Sequence, residues 1–199
     1  MQNKSLNLLG VTLSNSISVI SSMSAMDDLE IIFNNICQSC IECYKHNGKI
    51  LIAGNGGSAA DAQHFAGELV SRFNFDRPPL SAFALTTDTS VLTAIGNDYG
   101  YGEVFSRQIQ AHGKSGDLFI AISTSGNSLN IINAIQTAKA MGLFVIGLTG
   151  LNGLRMKDMC DICFCAPSQS TPRIQECHLI FEHALCSSIE ESLFGNAQK

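Results

Sequence analysis

The chain has 199 residues, a hydrophobic content of 45% and a formal charge of −5, with 17 glycines and only 4 prolines. This length and composition suit one folded α/β domain over residues 1–199, and the acidic balance argues against a nucleic-acid-binding surface as the main function. No apolar run reaches the roughly 18–20 residues of a membrane span and no signal peptide is recognisable, so we expect a cytoplasmic protein without a membrane partner.

Hydrophobic periodicity predicts short apolar strands that alternate with helices. A weakly helical stretch at 3–21 comes before a clearly amphipathic helix at 25–46. The predicted strands are 49–54, 81–85, 117–122, 143–148 and 161–165. The remaining predicted helices, with one glycine-rich loop at 96–102, are 58–72, 86–95, 104–112, 128–141, 152–159 and 172–194.

The apolar character of the strands predicts the fold. Strands that are continuous apolar runs indicate a parallel sheet covered on both faces. Right-handed crossovers then place helices on both sides of the sheet. The sequence therefore predicts an α/β fold, a three-layer α/β/α sandwich with a five-stranded parallel sheet, on which N-terminal helices within 1–46 pack.

Polar loops follow two of the predicted strands. Residues 54–58, GNGGS, turn from the first strand into a helix whose free backbone N–H groups attract anions. This loop lacks a dinucleotide fingerprint and the Gly-Lys-Ser/Thr of a P-loop, which argues against an NAD oxidoreductase or a nucleoside triphosphatase. Residues 123–128, STSGNS, follow the third strand. A serine-rich turn alone is most often a helix cap, but four hydroxyls at the carboxyl end of a parallel strand favour a phosphate-ester site.

Two predicted helices carry polar side chains at helical spacing. His64 and Glu68 are four residues apart and therefore lie on one face of their helix. The last predicted helix contains Gln175, Glu176, His178, Glu182 and His183. A single histidine is most often a hydrogen-bonded core or surface residue. Two spaced sets favour either a divalent metal site with nitrogen and oxygen ligands or an acid–base pair for proton transfer.

The cysteines allow a packing or a metal-binding interpretation. They are Cys37, Cys40, Cys43, Cys160, Cys163, Cys165, Cys177 and Cys186. Two clusters contain C-x-x-C spacing, which is compatible with zinc. We favour core packing, because the first three follow helical spacing and two of the second cluster alternate as in a strand. The chain is too large and core-rich to need a disulfide framework.

Several separated motifs give the chain a specific resemblance to a known family. In chain order they are GNGGSAADAQHFAGEL, RPPLSAFAL, IGNDYG, ISTSGNS, LTG and RIQECH with a further histidine five residues on. These motifs resemble the SIS (sugar isomerase) domain family and, within it, the phosphoheptose isomerases. The resemblance implies a flavodoxin-like fold and a homotetramer with active sites shared between subunits, with the helices of 1–46 in the interface.

The resemblance also implies a reaction and a set of site residues. The reaction is the aldose–ketose interconversion of D-sedoheptulose 7-phosphate and D-glycero-D-manno-heptose 7-phosphate, which supplies heptose for lipopolysaccharide core or capsule. One Zn²⁺ per subunit is implied, with the ligands His64, Glu68, Gln175 and His183. The implied substrate contacts are Asn55, Gly56, Gly57, Glu68, Asn97, Asp98, Ser123, Thr124, Ser125, Ser128 and Gln175.

Such an isomerase must remove a proton beside a carbonyl and return it to the neighbouring carbon through an enediol(ate). We assign Glu68 as the base and His183 as the acid, with a metal as the electrophile for the developing oxyanion. Two alternatives are a non-catalytic SIS protein that binds the bacterial replication initiator and a module that senses a sugar phosphate without turnover. The first lacks counterparts of Glu68 and His183 and has an altered serine loop, whereas this chain has all three features.

Overall fold

The structure is a computed structural model that describes residues 7–151 and 153–195. Its helices are α1 (Leu8–Ser24), α2 (Leu29–Lys45), α3 (Gly57–Val70), α4 (Thr89–Tyr99), α5 (Ser106–His112), α6 (Leu129–Ala140), α7 (Leu154–Met159) and α8 (Thr171–Phe194), with a 3₁₀ turn at Tyr101–Glu103. Its strands are β1 (Ile50–Ala53), β2 (Ala82–Ala84), β3 (Leu118–Ser123), β4 (Phe144–Gly150) and β5 (Ile162–Ala166).

The five strands form one sheet in the order β2-β1-β3-β4-β5, and every neighbouring pair is parallel. The predicted five-stranded parallel sheet is therefore confirmed, and its strand order is the flavodoxin-like one. The chain leaves β1 in one direction to β2 and returns to β3 on the other side. Ligands bind at such switch points, outside the carboxyl ends of the strands, so the loops after β1 and β3 mark the expected site.

Two hydrophobic clusters cover the two faces of the sheet. Alternate residues of each strand point to opposite faces, which explains why the strands are apolar at every position. On one face, Ile52 and Ile120 pack with buried residues of α1, α2, α3 and α8. On the other, Phe119 packs with buried residues of α5, α6 and α7. Five cysteines are buried in the first cluster, as the packing interpretation predicts: Cys37, Cys40, Cys43, Cys177 and Cys186.

The N-terminal helix α1 attaches to α8 and leaves an apolar face exposed. The Arg173 guanidinium donates to the carbonyl of Thr12 (2.9 Å) and to the hydroxyl of Ser16. The exposed apolar residues of α1 are Leu8, Leu9, Val11, Leu13, Ile17 and Ile20. Within the described ranges, no single helix is long and apolar enough to cross a membrane, and α1 and α2 reach that threshold only as a pair bent by 79°.

The assignment of residues 1–199 to one domain stays a prediction.

The predicted loop at 96–102 is wrong over its first half. Helix α4 continues through Gly96 to Tyr99, and only Gly100, with φ +85°, adopts the backbone conformation that ends it. A glycine inside a helix costs about 1 kcal/mol relative to alanine, which neighbouring residues can offset. The helix also begins later than expected, at Thr89, because the Asp88 carboxylate accepts from the Val91 N–H (3.0 Å) and caps it.

Candidate active site

The loop after β1 is tied to the helix that follows the loop after β3. The side-chain amides of Asn55 and Asn130 exchange two hydrogen bonds of 2.9 Å, and the Tyr101 hydroxyl donates to the side-chain Oδ1 of Asn55 (3.1 Å). Asn130 is buried. These contacts fix Asn55, a predicted substrate contact, at the switch point of the sheet. Sequence reasoning missed both partners, although a polar Asn130 inside the apolar helical pattern LNIINAI was a usable signal.

The serine loop, residues 123–128, gathers its hydroxyls at the end of β3. The Ser123 hydroxyl lies 3.1 Å from that of Ser128 and 3.5 Å from that of Ser125. Ser128 precedes α6, yet its side chain caps no backbone N–H of that helix. The helix-cap interpretation of this serine is therefore wrong, and its hydroxyl is directed to the loop itself. The arrangement leaves hydroxyls and a helix N-terminus together, which suits the oxygens of a phosphate.

Helices α3 and α8 bring three predicted site residues together. The Nε2 atoms of His64 and His183 are 2.8 Å apart, so one imidazole donates to the other. His64 Nε2 also lies 3.6 Å from Glu68 Oε1. The ring of Phe73 packs on His183 with ring centroids 5.6 Å apart. Two imidazoles and a carboxylate within this range can move protons or bind a cation.

Gln175 contacts the glycine turn at the start of α3. A Cβ atom added to Gly57 would stand 2.1 Å from Gln175 Nε2, so the amide of Gln175 rests directly on the glycine turn. Gly57 is seven residues before His64, which corresponds to about 10 Å of helix. Of the four implied metal ligands, His64, Glu68 and His183 are thus linked by the distances above, and Gln175 contacts Gly57 at the start of α3.

Asn97 and Asp98 are exposed on α4 and contact each other rather than the loops. The Asn97 amide donates to Asp98 Oδ1 (2.7 Å). Tyr101, on the following 3₁₀ turn, is the residue of this region that reaches Asn55.

Buried carboxyl groups lie behind the imidazole pair. Neither oxygen of Glu182 nor Oδ2 of Asp61 has a hydrogen-bond partner among the residues that the structure describes. Burial, with the nearby charge of Asp61, raises the pKa of Glu182 well above its usual value. Burial also raises the pKa of Asp61, and His64 partly offsets this. Burial thus disfavours the charged form of Glu182, which limits the negative charge next to His183.

An arginine fixes the end of α3 where Glu68 lies. The Arg77 guanidinium donates to the carbonyl oxygens of Glu68 (2.9 Å) and Leu69 (2.6 Å), and its Nε donates to Glu190 (3.0 Å). Helix carbonyls at a C-terminus have no partner within the helix, so this contact satisfies two of them. Arg77 is a site-supporting residue that the sequence showed only as the start of a proline-rich break.

The contact between Gly57 and Gln175 allows a test of this geometry. Gly57→Ala is expected to displace the Gln175 amide and to lower kcat/KM by about 10–100-fold, since small misplacements in a site have effects of this size. The protein should remain folded, because the group displaced is the end of a flexible side chain. Gly67→Ala, in the same helix with open space around the added Cβ, is the matched control. Equal kcat/KM for both variants with sedoheptulose 7-phosphate, the substrate that the family resemblance implies, would contradict a role for this contact.

The fold and the switch-point site together define a class of protein. The sequence profile of the SIS domain matches residues 16–150, and the chain belongs to the SIS domain family. Within that family it belongs with the phosphoheptose isomerases. It is 54% identical over 181 residues to the phosphoheptose isomerase of Aneurinibacillus thermoaerophilus, covering 91% of each chain. It is 50% identical over 195 residues to that of Burkholderia pseudomallei (strain 1710b), covering 98% of this chain and 99% of the relative.

Solved structures give the same assignment. A phosphoheptose isomerase from Neisseria gonorrhoeae superposes with a TM-score of 0.87 at 41% identity, covering 93% of this chain and 98% of the other. One from Francisella tularensis has a TM-score of 0.89 at 35% identity, covering 94% and 99%. The predicted family is confirmed. A replication-initiator-binding protein and a sugar-phosphate sensor gain no support from these comparisons.

Proposed function

We propose that the chain is an aldose–ketose isomerase that interconverts D-sedoheptulose 7-phosphate and D-glycero-D-manno-heptose 7-phosphate. The observation that carries the proposal is the cluster of His64, Glu68 and His183 in a chain 54% identical to a phosphoheptose isomerase. Its product would supply heptose for lipopolysaccharide core or capsule. The phosphate and the reacting carbons lie at opposite ends of this substrate, so it needs an anchor that is separate from the acid–base cluster.

The residues of the chain divide between anchoring and proton transfer. The hydroxyls of the serine loop and the N-terminus of α6 would hold the phosphate. Asn55, held by Asn130 and Tyr101, would contact the sugar hydroxyls together with the backbone of the glycine turn. Glu68 would take the proton from the carbon beside the carbonyl and return it to the neighbouring carbon, while His183 moves a proton at the carbonyl oxygen.

A zinc ion, one per subunit, is the finer part of the proposal. Two imidazole Nε2 atoms and a carboxylate oxygen are suitable zinc ligands, and those of His64, His183 and Glu68 lie together here. As placed, the two imidazoles bond to each other, and residues 7–151 and 153–195 contain no group of three or more His, Cys, Asp or Glu arranged around a common metal position. The donor set therefore fits zinc in its chemistry, and the two imidazoles would have to separate to bind it. When bound, the ion would supply Lewis acidity toward the substrate oxygens.

Turnover of sedoheptulose 7-phosphate by the purified protein tests the function and the metal together. We expect isomerisation that a chelator abolishes and added Zn²⁺ restores, because the developing oxyanion then loses and regains its electrophile. Metal analysis should give one zinc per chain and less in His64→Ala, a result independent of activity. A ketohexose phosphate is the control substrate and should react poorly. No turnover with zinc supplied would remove the isomerase proposal.

Assembly as a homotetramer with shared active sites is part of the same proposal. Asn97 and Asp98, implied substrate contacts, are exposed on α4, where they would be available to complete a neighbouring subunit's pocket. The exposed apolar residues of α1, such as Leu9 and Ile17, would be covered by a second copy. A monomer in sedimentation equilibrium would contradict this assembly.

We also propose a cytoplasmic location, which cell fractionation tests.

A further inference from the structure

His178 is a fully buried histidine on α8 that the proposed mechanism does not use. Its Nε2 lies 3.0 Å from the carbonyl oxygen of Thr149, and its ring packs edge-on against Phe164 with centroids 6.1 Å apart. Burial lowers the pKa of His178 to about 4, an effect that the bond to Thr149 only partly offsets. The ring is therefore neutral at physiological pH. Because a carbonyl oxygen can only accept, the single ring proton is on Nε2 and is donated to Thr149.

Thr149 is the residue of β4 that supports the serine loop. It pairs in register with Ser123 of β3, the first residue of that loop. Its Oγ1 would lie 3.0 Å from a Cβ added to Gly126, so the two residues are in close contact. The next residue, Gly150, donates its N–H to the carbonyl of Thr124 (3.2 Å). The end of β4 thus forms the surface against which the serine loop is built.

The bond from His178 joins this support to the helix that carries the proton-transfer group. α8 contains His183, five residues further on, and Gln175, three residues before. A link between α8 and the end of β4 therefore fixes the serine loop relative to the acid–base cluster. Such a link matters for a substrate that is bound at one end and reacts at the other, because both ends must be held in one geometry.

We propose that His178 is a positioning residue, whose Nε2–H bond to the Thr149 carbonyl holds the phosphate-binding serine loop in its binding conformation and in its position relative to α8. The proposal deepens the proposed function and rests on it for the identity of the sugar phosphate. It requires no proton transfer by His178 and no contact between His178 and substrate.

Two substitutions separate the hydrogen bond from the packing. His178→Phe keeps a ring against Phe164 but leaves the Thr149 carbonyl without its donor, whereas His178→Gln retains an N–H donor of similar reach. We expect KM for sedoheptulose 7-phosphate to rise about tenfold in the phenylalanine variant, about the factor that a lost buried hydrogen bond is worth. We expect kcat to fall as well, because a displaced phosphate anchor no longer holds the reacting carbons against the acid–base cluster. KM of the glutamine variant should lie within about threefold of that of the unsubstituted enzyme, because the hydrogen bond is retained.

Inorganic phosphate provides a readout that does not depend on turnover. The dissociation constant of phosphate, measured by calorimetry, should rise by about the same factor as KM in His178→Phe. It should not rise in Cys177→Ala, a control at a buried neighbour on the same helix. Unchanged phosphate affinity in folded His178→Phe, or an equal loss in the control, would overturn the proposal, even if the protein turned out not to be an isomerase.

A second variant covers the case in which His178→Phe fails to fold. A Cβ added to Gly153 would stand 2.2 Å from Thr149 Oγ1 and 2.7 Å from Thr149 Cβ, so Gly153→Ala forces Thr149 to move. Its phosphate affinity is expected to fall as well, and an unchanged affinity would argue against Thr149 as the support of the loop.

Discussion

Replacing Glu68 with glutamine is expected to lower kcat by about 10²–10⁴-fold, the usual contribution of a general base. The amide has nearly the shape of the carboxylate but cannot take up the proton from the substrate carbon. Turnover of sedoheptulose 7-phosphate measures the effect. Exchange of the substrate carbon-bound proton with solvent deuterium should fall in parallel, because it reports the abstraction step alone.

Loss of metal is a competing cause of such a decrease, so the variant needs two controls. Zinc content per chain shows whether Glu68→Gln still binds the ion through its remaining oxygen; a variant that retains zinc and loses turnover identifies Glu68 as the base. Glu42→Gln changes a half-exposed glutamate on α2, where Glu42 pairs with Lys45, and should leave kcat unchanged. The decrease in kcat for His183→Ala is expected to be in the same range as that for Glu68→Gln. An unchanged kcat in Glu68→Gln would remove this residue from proton transfer.

The sequence was sufficient for those parts of the site that lie within one element. Apolar strands predicted the parallel sheet, and the four-residue spacing of His64 and Glu68 predicted their shared helix face. The serine loop was identifiable because the carboxyl end of a parallel strand is where ligands bind. Each of these inferences depends on local periodicity or on a general rule of the fold.

Contacts between distant elements could not be predicted in the same way. The pairing of Asn55 with Asn130, 75 residues apart, depends on β1 and β3 being neighbours, and the strand order is not contained in any one segment. The spacing of Gln175 and His183 on α8 gave no indication that the Gln175 amide would lie on Gly57, since that depends on the axial register of α8 against α3. Arg77 looked like a helix end, and only the packed structure shows that it bonds the Glu68 carbonyl.

The same arginine supports the second large expected effect, on stability. Arg77 and Glu190 form an ion pair with side chains 2% and 0% exposed. The Glu190 carboxylate also accepts from the backbone N–H groups of Phe73 (2.8 Å) and Asn74 (2.6 Å). Arg77→Leu leaves this carboxylate buried without its counter-charge and removes the donor to the end of α3. We expect the free energy of unfolding to fall by about 3–5 kcal/mol, the usual cost of breaking a buried pair.

Urea unfolding at fixed protein concentration measures this loss, since the stability of the proposed oligomer would depend on concentration. Lys45→Ala removes an exposed ion pair with Glu42 and should cost less than about 1 kcal/mol. The double variant Arg77→Met with Glu190→Met should be more stable than Arg77→Leu, because no unpaired charge remains. A loss in Arg77→Leu as small as that in Lys45→Ala would show that the buried pair contributes little.

The pH dependence of stability gives an independent check on the same carboxylate. Burial alone would raise the pKa of Glu190, but the N–H groups of Phe73 and Asn74 and the Arg77 guanidinium outweigh it and hold the pKa below its usual value. On acidification the unfolded chain therefore binds this proton first. The stability that the carboxylate contributes is full above the ordinary glutamate pKa and is lost as pH falls through the lowered one. In Arg77→Leu the guanidinium no longer opposes burial, so the acid-side decrease in unfolding free energy should become shallower, and an unchanged slope would mean that Arg77 does not set the protonation of Glu190.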